Sequence, residues 1–417
     1  MRYFIKVLFL SLYLLASNHL LLGQQNKDLV KNLLLSNDLI PDQTAHQKDK
    51  FQMQILYTQI DRDKDNQPHF TSYPFNLDTT HYFYPASAIK IFAAALALEK
   101  INKLDIKGLD KNTYLTIDSS YSRQTSVSAD LTAPGLKPSI AHYIKKLLIV
   151  SDNDAFNRLY EFIGQEAFNS DLIEKNFMHT RITHRLSVNL NKDENQHTNG
   201  FTFFDKDAMI IYKQAPEVSS KDFTSAASIF LGKAYFDGEK IIQSPMDFKN
   251  KNYSALEDLQ KVLKTILFPE SFDRQAQFDL TAADYQFLYQ YMSQLPRETK
   301  FPDLSDKADN YCKFFMFGDK NTTQIPSNIR IFNKIGNAYG FTIDNAYIVD
   351  FDKGIEFLLT AVIYTNENET LNDGNYEYDT IALPFFGNLG RIIYDYELKR
   401  KRAHKPDLKK FDINYDH

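Results

Sequence analysis

A chain of 417 residues can bury one large core or two ordinary ones, and 43% hydrophobic with 24% charged residues excludes a disordered or fibrous chain. The net charge of -5 argues against a general nucleic-acid binder. A single cysteine, Cys312, excludes any intrachain disulfide.

Residues 1–23 read as a secretory leader. Arg2 and Lys6 give the positive start, Val7–Leu15 the apolar run, and Gly23 precedes the polar switch at Gln24-Gln25-Asn26-Lys27. Ser17-Asn18-His19 interrupts the run, so it reads as cleaved rather than as a membrane span. The expected location is exported, periplasmic or extracellular, with no membrane span in the mature chain.

Asp28–Leu35 reads as a short helix, ended by Ile40-Pro41-Asp42. Phe51–Tyr57 alternates apolar and polar residues, which predicts a half-buried strand. Asp61–Asn66 has the acids of a calcium loop, but Asn66 stands at its glycine position and Ser72 at its glutamate position; it reads as a hairpin turn. His69–Phe75 is the returning strand. Ser87–Asn102 is an apolar helix, Asp118–Ala133 a polar loop, and Ser139–Val150 and Asp154–Ile163 two more helices. Arg181–Gly200 is irregular. Residues 201–325 read as mostly helical, with loops at 234–253 and 295–325, and clearest helices at Leu256–Leu267 and Thr281–Met292. After Pro326 the pattern turns to strands at 329–334, 341–350 and 355–364, then to a closing helix over Tyr378–Lys401.

Strands at both ends and helices between them predict an α/β (α+β) fold. One antiparallel sheet is built from both chain ends and flanked by helices, with an all-helical domain inserted. The expected divisions are a sheet domain of 24–84 and 326–403, a helical domain of 85–325, and a basic tail of 404–417. The basic run Lys399-Arg400-Lys401-Arg402 reads as a solvated helix end with a frayed tail. His179 and His184 are five apart, off the geometry of a helical metal pair, and both read as surface residues. No cofactor or metal is expected.

Three short motifs occur in order, each once: Ser87-Ala88-Ile89-Lys90, Ser151-Asp152-Asn153 and Lys334-Ile335-Gly336. In a helix, Ser87 and Lys90 share a face. Ala88, Ile89, Ile91 and Phe92 desolvate the lysine, which favours a neutral amine able to act as a base. Set on the first turn of an apolar helix, between two helices and on a strand, the three motifs resemble the serine β-lactamase and penicillin-binding-protein superfamily, most closely the class A β-lactamase-related serine hydrolases. The resemblance spans about residues 50–400. It implies a β-lactamase-like fold and acyl transfer through a serine.

By that resemblance Ser87 is the nucleophile, Lys90 its base, Ser151 the proton donor to the leaving group, and Lys334 a positive charge beside both. Asn153 holds the substrate amide. The backbone of Gly336 and Asn337 lies beside the nucleophile, and the N–H groups of Ser87 and Asn337 form an oxyanion hole. Tyr339 lines the cleft or packs at a strand bend between two glycines. From Ser151 to Lys334 the chain runs 183 positions, longer than in compact class A enzymes, which implies an insertion near 218–325.

Two departures stand out. Ile335 replaces the hydroxyl residue of the third motif, which helps bind a substrate carboxylate. The deacylating glutamate belongs near Arg181–Leu190, which contains no acid; Glu194 is the nearest candidate. The expected function is an exported serine hydrolase forming an acyl-enzyme on Ser87 with an amide or ester, β-lactams included. The alternatives are a class A-type β-lactamase and a non-catalytic binding protein of this fold. The expected partner is a small-molecule or peptide substrate, cell-wall material or a β-lactam among them, and not nucleic acid.

Overall fold

The computed structural model describes residues 28–37, 48–304, 306–319 and 324–415; the leader read over 1–23 lies outside them. Its centre is a five-stranded antiparallel sheet of β1 (Gln54–Arg62), β2 (Pro68–Phe75), β3 (Ile329–Ala338), β4 (Phe341–Asp350) and β5 (Ile355–Tyr364). The spatial order is β3-β4-β5-β1-β2. The two ends of the chain therefore meet in the middle of the sheet, with Tyr57 opposite Leu359.

The helices are α1 (Leu29–Ser36), α2 (Lys90–Leu104), α3 (Ile140–Ile149), α4 (Asn153–Ile163), α5 (Gln165–Glu174), α6 (Leu256–Leu267), α7 (Ala282–Ser293) and α8 (Leu383–Lys399). On one face of the sheet, Leu56, Ile60, Phe332, Leu358 and Val362 pack in a core shared with α2 and α6. On the other, Ile55, Tyr57, Ile331, Phe357 and Leu359 pack with α1 and α8. This double cover corrects the half-buried strand expected near residue 51. β1 begins at Gln54, after the short helix Lys48–Phe51, and only Asp61 of its nine residues is not buried. A strand interior to a sheet with both faces covered excludes water whatever its alternation.

α2 is the axis of the helical part. Its sequence is apolar nearly all round, and Ile91–Glu99 are all buried, as expected of a helix enclosed on every side. Asp105 closes it in the left-handed conformation. α3 and α4 start on side-chain caps, Ser139 accepting from the His142 amide and Asp152 from the Ala155 amide.

The inserted segment is helix-rich but carries strands, which corrects the mostly helical reading of 201–325. Phe201–Phe204 pairs with Tyr114–Ile117 and Ile210–Gln214; Ala234–Asp237 forms a hairpin with Lys240–Ile242 and lies parallel to Thr370–Leu371. Pro216, Gly232 and Gly238 cut this stretch into runs too short to sustain a helix. The Asp61–Asn66 segment is a hairpin turn: one Asp63 carboxylate oxygen accepts from the amides of Asp65 and Gln67, both at 2.9 Å.

The chain end departs from the frayed tail expected of it. Phe411 is fully buried, with its ring centroid 4.9 Å from Tyr347 and 5.3 Å from Phe332. Lys399 and Lys401 are exposed, but Arg400 and Arg402 both clamp the buried carboxylate of Glu397. A buried charge needs such partners, and they draw the arginines inward.

Candidate active site

Ser87 lies in a 3₁₀ turn, Ala86–Ile89, that runs directly into α2. The expectation of an α-helical first turn is thus met one turn late, at Lys90. The turn is tight: the Ala88 amide donates to the Pro85 carbonyl at 3.0 Å, and Ala86 takes a φ of 47°. A non-glycine residue there costs on the order of 1 kcal/mol, held by the surrounding core. Edge strand β3 presses on this turn. A methyl group built on Gly336 would stand 2.8 Å from the Pro85 carbonyl oxygen and 3.0 Å from the Ser87 nitrogen. Only glycine lets the strand approach the Ser87 turn so closely.

The other motif residues converge on one chain of polar contacts. Lys90 Nζ donates to the Ser151 carbonyl, to Ser151 Oγ at 3.2 Å and to Asn153 Oδ1 at 2.7 Å. Lys334 Nζ donates to Ser151 Oγ at 2.8 Å and to the Ile335 carbonyl at 3.0 Å. Ser151 stands between two lysines, with a φ of 59°. Asn153 Nδ2 donates to Ser187 Oγ at 2.7 Å. Ser87 and Lys90, which their spacing sets on one face, are not joined by a direct hydrogen bond. Lys90 is oriented instead by carbonyl and amide oxygens, the stronger acceptors within its reach.

Burial disfavours the charged form of both lysines. It pushes Lys90 well below the usual lysine range, and the neighbouring Lys334 charge adds to that. Burial lowers Lys334 to about 8, opposed by Cys312 and Asp344. Asp344 is a supporting residue. Its carboxylate accepts from the amides of Phe314 and Phe315 and from Asn333 Nδ2, and burial raises it to about 6.

Two hollows flank Ser87, and Asn337 borders both with it. The larger, about 900 Å³, has walls of Tyr84, Asn153, His184, Ser187, Tyr235, Lys251, Tyr339, Tyr376 and Tyr378. The smaller, about 680 Å³, is bordered by Ser151, Tyr311, Cys312, Phe314 and Ile335. Tyr339 lines the larger hollow and also packs: its ring meets Tyr84 at 5.0 Å and Phe248 at 5.1 Å, both edge-on. The hairpin of 234–242 brings Tyr235, Phe236 and Asp237 to the same wall.

Glu194 is placed elsewhere. Its carboxylate accepts from the Asn191 amide at 2.8 Å in a capping box on the short helix Lys192–Gln196, and it borders neither hollow. His179 is exposed, as read. His184 is not a surface residue: it is half-buried, stacks on Tyr84 at 6.2 Å and faces the larger hollow. The sequence also gave no warning of Arg185, which binds Glu161 at 2.9 Å and the carbonyls of Glu194 and His197. That residue ties the wall segment to α4; an arginine inside a polar, irregular stretch was the only signal.

A serine on a tight turn, a lysine whose charged form burial disfavours and a serine bridging two lysines lie together at one place in the fold. The family model described as the β-lactamase enzyme family matches residues 38–228, which contain the first two motifs. Over that stretch the chain is similar to the β-lactamase enzyme family, and the third motif closes on the second through the Lys334–Ser151 contact. Among solved structures, the TLA-3 extended-spectrum β-lactamase is 13% identical with a TM-score of 0.47, covering 87% of this chain and 99% of its own. A class A β-lactamase from Mycobacterium abscessus is 12% identical with a TM-score of 0.46, covering 86% and 98%. A β-lactamase from Xanthomonas campestris is 14% identical with a TM-score of 0.47, covering 86% and 97%. Likeness at this level says nothing of substrate. No curated protein matches the sequence.

Proposed function

We propose that the protein is an exported serine hydrolase that forms an acyl-enzyme on Ser87 with an amide or ester. The observation that carries this reading is the continuous contact from Lys90 through Ser151 to Lys334 beside the Ser87 turn. Neutral Lys90 takes the proton of Ser87 Oγ as that oxygen bonds to the acyl carbon. The amides of Ser87 and Asn337 receive the oxyanion. The bond to the leaving group then breaks, and the leaving atom takes a proton from Ser151, which regains one from Lys90. Water hydrolyses the acyl-enzyme and restores Ser87. Lys334, charged below about 8, favours negative charge at Ser151 during the transfer.

Fast β-lactam turnover does not fit this site as well as ester or amide acyl transfer. The wall segment around His184 and Ser187 brings no acid to the hollow, and the acids that border the two hollows are Asp237, exposed on a hairpin, and Asp379. Among the described residues no helix is long and apolar enough to cross a membrane, and the leader expected over 1–23 is the basis for export. The test is to incubate the mature protein with a fluorescent penicillin and a panel of activated esters, then look for added mass on Ser87. A transient adduct from esters supports the proposal. No adduct from either, with Ser87→Ala behaving identically, leaves a binding protein of this fold. Rapid turnover of a chromogenic cephalosporin makes it a β-lactamase.

A further inference from the structure

The acyl-transfer scheme has no use for Lys251, yet Lys251 borders the same hollow as Ser87. Its position is fixed from both sides. Before it, Phe248 is fully buried and its carbonyl accepts from the Lys251 amide at 2.9 Å. After it, Asn252 is fully buried; Oδ1 accepts from the amides of Thr183 at 2.7 Å and His184 at 3.1 Å, and Nδ2 donates to the His184 carbonyl at 3.1 Å. Lys251 and His184 are thereby locked side by side on one wall.

The lysine's charge is not cancelled there. Lys251 Nζ donates to Tyr339 Oη at 3.3 Å and sits 5.5 Å from the centre of that ring. An ammonium carries three donors, so this contact leaves two. No ion pair forms between Lys251 and any described carboxylate. Its neighbour His184 stays neutral: burial, with the Lys251 charge behind it, lowers the imidazole to about 3. His184 Nδ1 contacts the Arg185 carbonyl at 2.5 Å, while Nε2 is buried without a partner. A rigidly placed cation with spare donors, in an aromatic-walled hollow beside a nucleophile, is arranged to receive an anion. The isoleucine of the third motif, Ile335, borders the other hollow and can supply no such contact.

We propose that Lys251 and the Tyr339 hydroxyl form an anion subsite, so that the acyl donor carries a carboxylate several bonds from the carbonyl that Ser87 attacks. This rests on the acyl-transfer reading of Ser87 for its meaning, but not for its test. The 4-nitrophenyl half ester of adipate and neutral 4-nitrophenyl heptanoate are compared by kcat/KM and by acylation of Ser87. The wild type prefers the adipate ester at least about tenfold, the scale of a hydrogen bond to a charged group. Lys251→Gln brings that ratio close to one, and Lys251→Arg keeps most of it. In a separate arm, calorimetry measures free adipate binding to Ser87→Ala, with and without Lys251→Gln. The second change is expected to weaken binding at least about tenfold. If neither ester acylates Ser87 while Ser87→Ala binds adipate through Lys251, the acyl-transfer reading fails and the subsite stands. Acylation without preference, adipate binding that ignores Lys251→Gln, or no adipate binding overturns the subsite.

Discussion

Lys334 Nζ reaches Ser151 Oγ at 2.8 Å across 183 positions of sequence, and that oxygen is also within 3.2 Å of Lys90 Nζ. Two buried lysines on one hydroxyl cannot both hold full charge at low cost: burial disfavours both ammonium forms, and the Lys334 charge lowers Lys90 further. On the proposed mechanism, their titrations shape the activity. As pH rises, Lys90 loses its proton and becomes a competent base; as pH passes about 8, Lys334 loses the charge that assists Ser151. The expected profile of kcat/KM on a neutral activated ester is a bell with its alkaline limb near pH 8. Lys334→Met lowers the whole curve and removes that limb; a limb that survives the substitution assigns it to another group.

The approach of β3 to the Ser87 turn gives a second expectation. Gly336→Ala adds a methyl group 2.8 Å from the Pro85 carbonyl and 2.9 Å from the Ala88 amide, both backbone atoms. The strand must retreat. Acylation of Ser87 should fall about 100- to 1,000-fold, as when an oxyanion donor is lost. Stability should fall by about 1–3 kcal/mol. Single-turnover acylation and thermal unfolding separate the two effects.

Arg185 anchors the wall of the larger hollow through buried Glu161. Arg185→Met leaves that carboxylate without its closest cation, although Arg158 remains 3.6 Å away. Glu161 is already pushed upward by burial, so it protonates more readily in the variant. The expected loss is about 3–5 kcal/mol in chemical unfolding near pH 7. It shrinks at acid pH, where a neutral Glu161 no longer needs a partner.

Glu194 serves the short helix at Lys192–Gln196 rather than the cleft. Glu194→Gln preserves the reach of the capping side chain, and its stability cost should be no more than about 1 kcal/mol. The rate of deacylation, followed by loss of the acyl mass from Ser87, should not change with it. A large slowing returns Glu194 to the reaction.

The parts of this architecture that were legible in the sequence are those encoded by contiguous residues. The apolar run after Lys90, the strand runs of β3 to β5 and the three motifs each carry their signal locally. The burial of β1 does not, because it depends on α6 and α8 covering opposite faces. The strand pairs of 201–254 were missed because short aromatic and β-branched runs do not declare a period. Lys251 and His184 were missed for another reason. What makes them a pair is Asn252, whose side chain holds the backbone of residues 183 and 184 from 69 and 68 positions away. In the sequence that asparagine is one more polar residue in a loop.

The pairing of β1 with β5 also fixes when the molecule can exist at all. Residues 54–62 find one sheet neighbour only in residues 355–364, about 300 positions later in the chain. Until then β1 and β2 are a two-stranded hairpin, marginal by itself in water. Closing so long a loop before its contacts form makes the folding barrier high and the folding slow. A ribosome-bound or truncated chain ending before residue 355 thus has the Ser87 and Ser151 segments, and the strand pair that bears Lys334, but not the central strand that joins that pair to β1. Limited proteolysis of such fragments should find the 54–75 hairpin as open as an unfolded chain, and a chain that includes residues 355–364 resistant there.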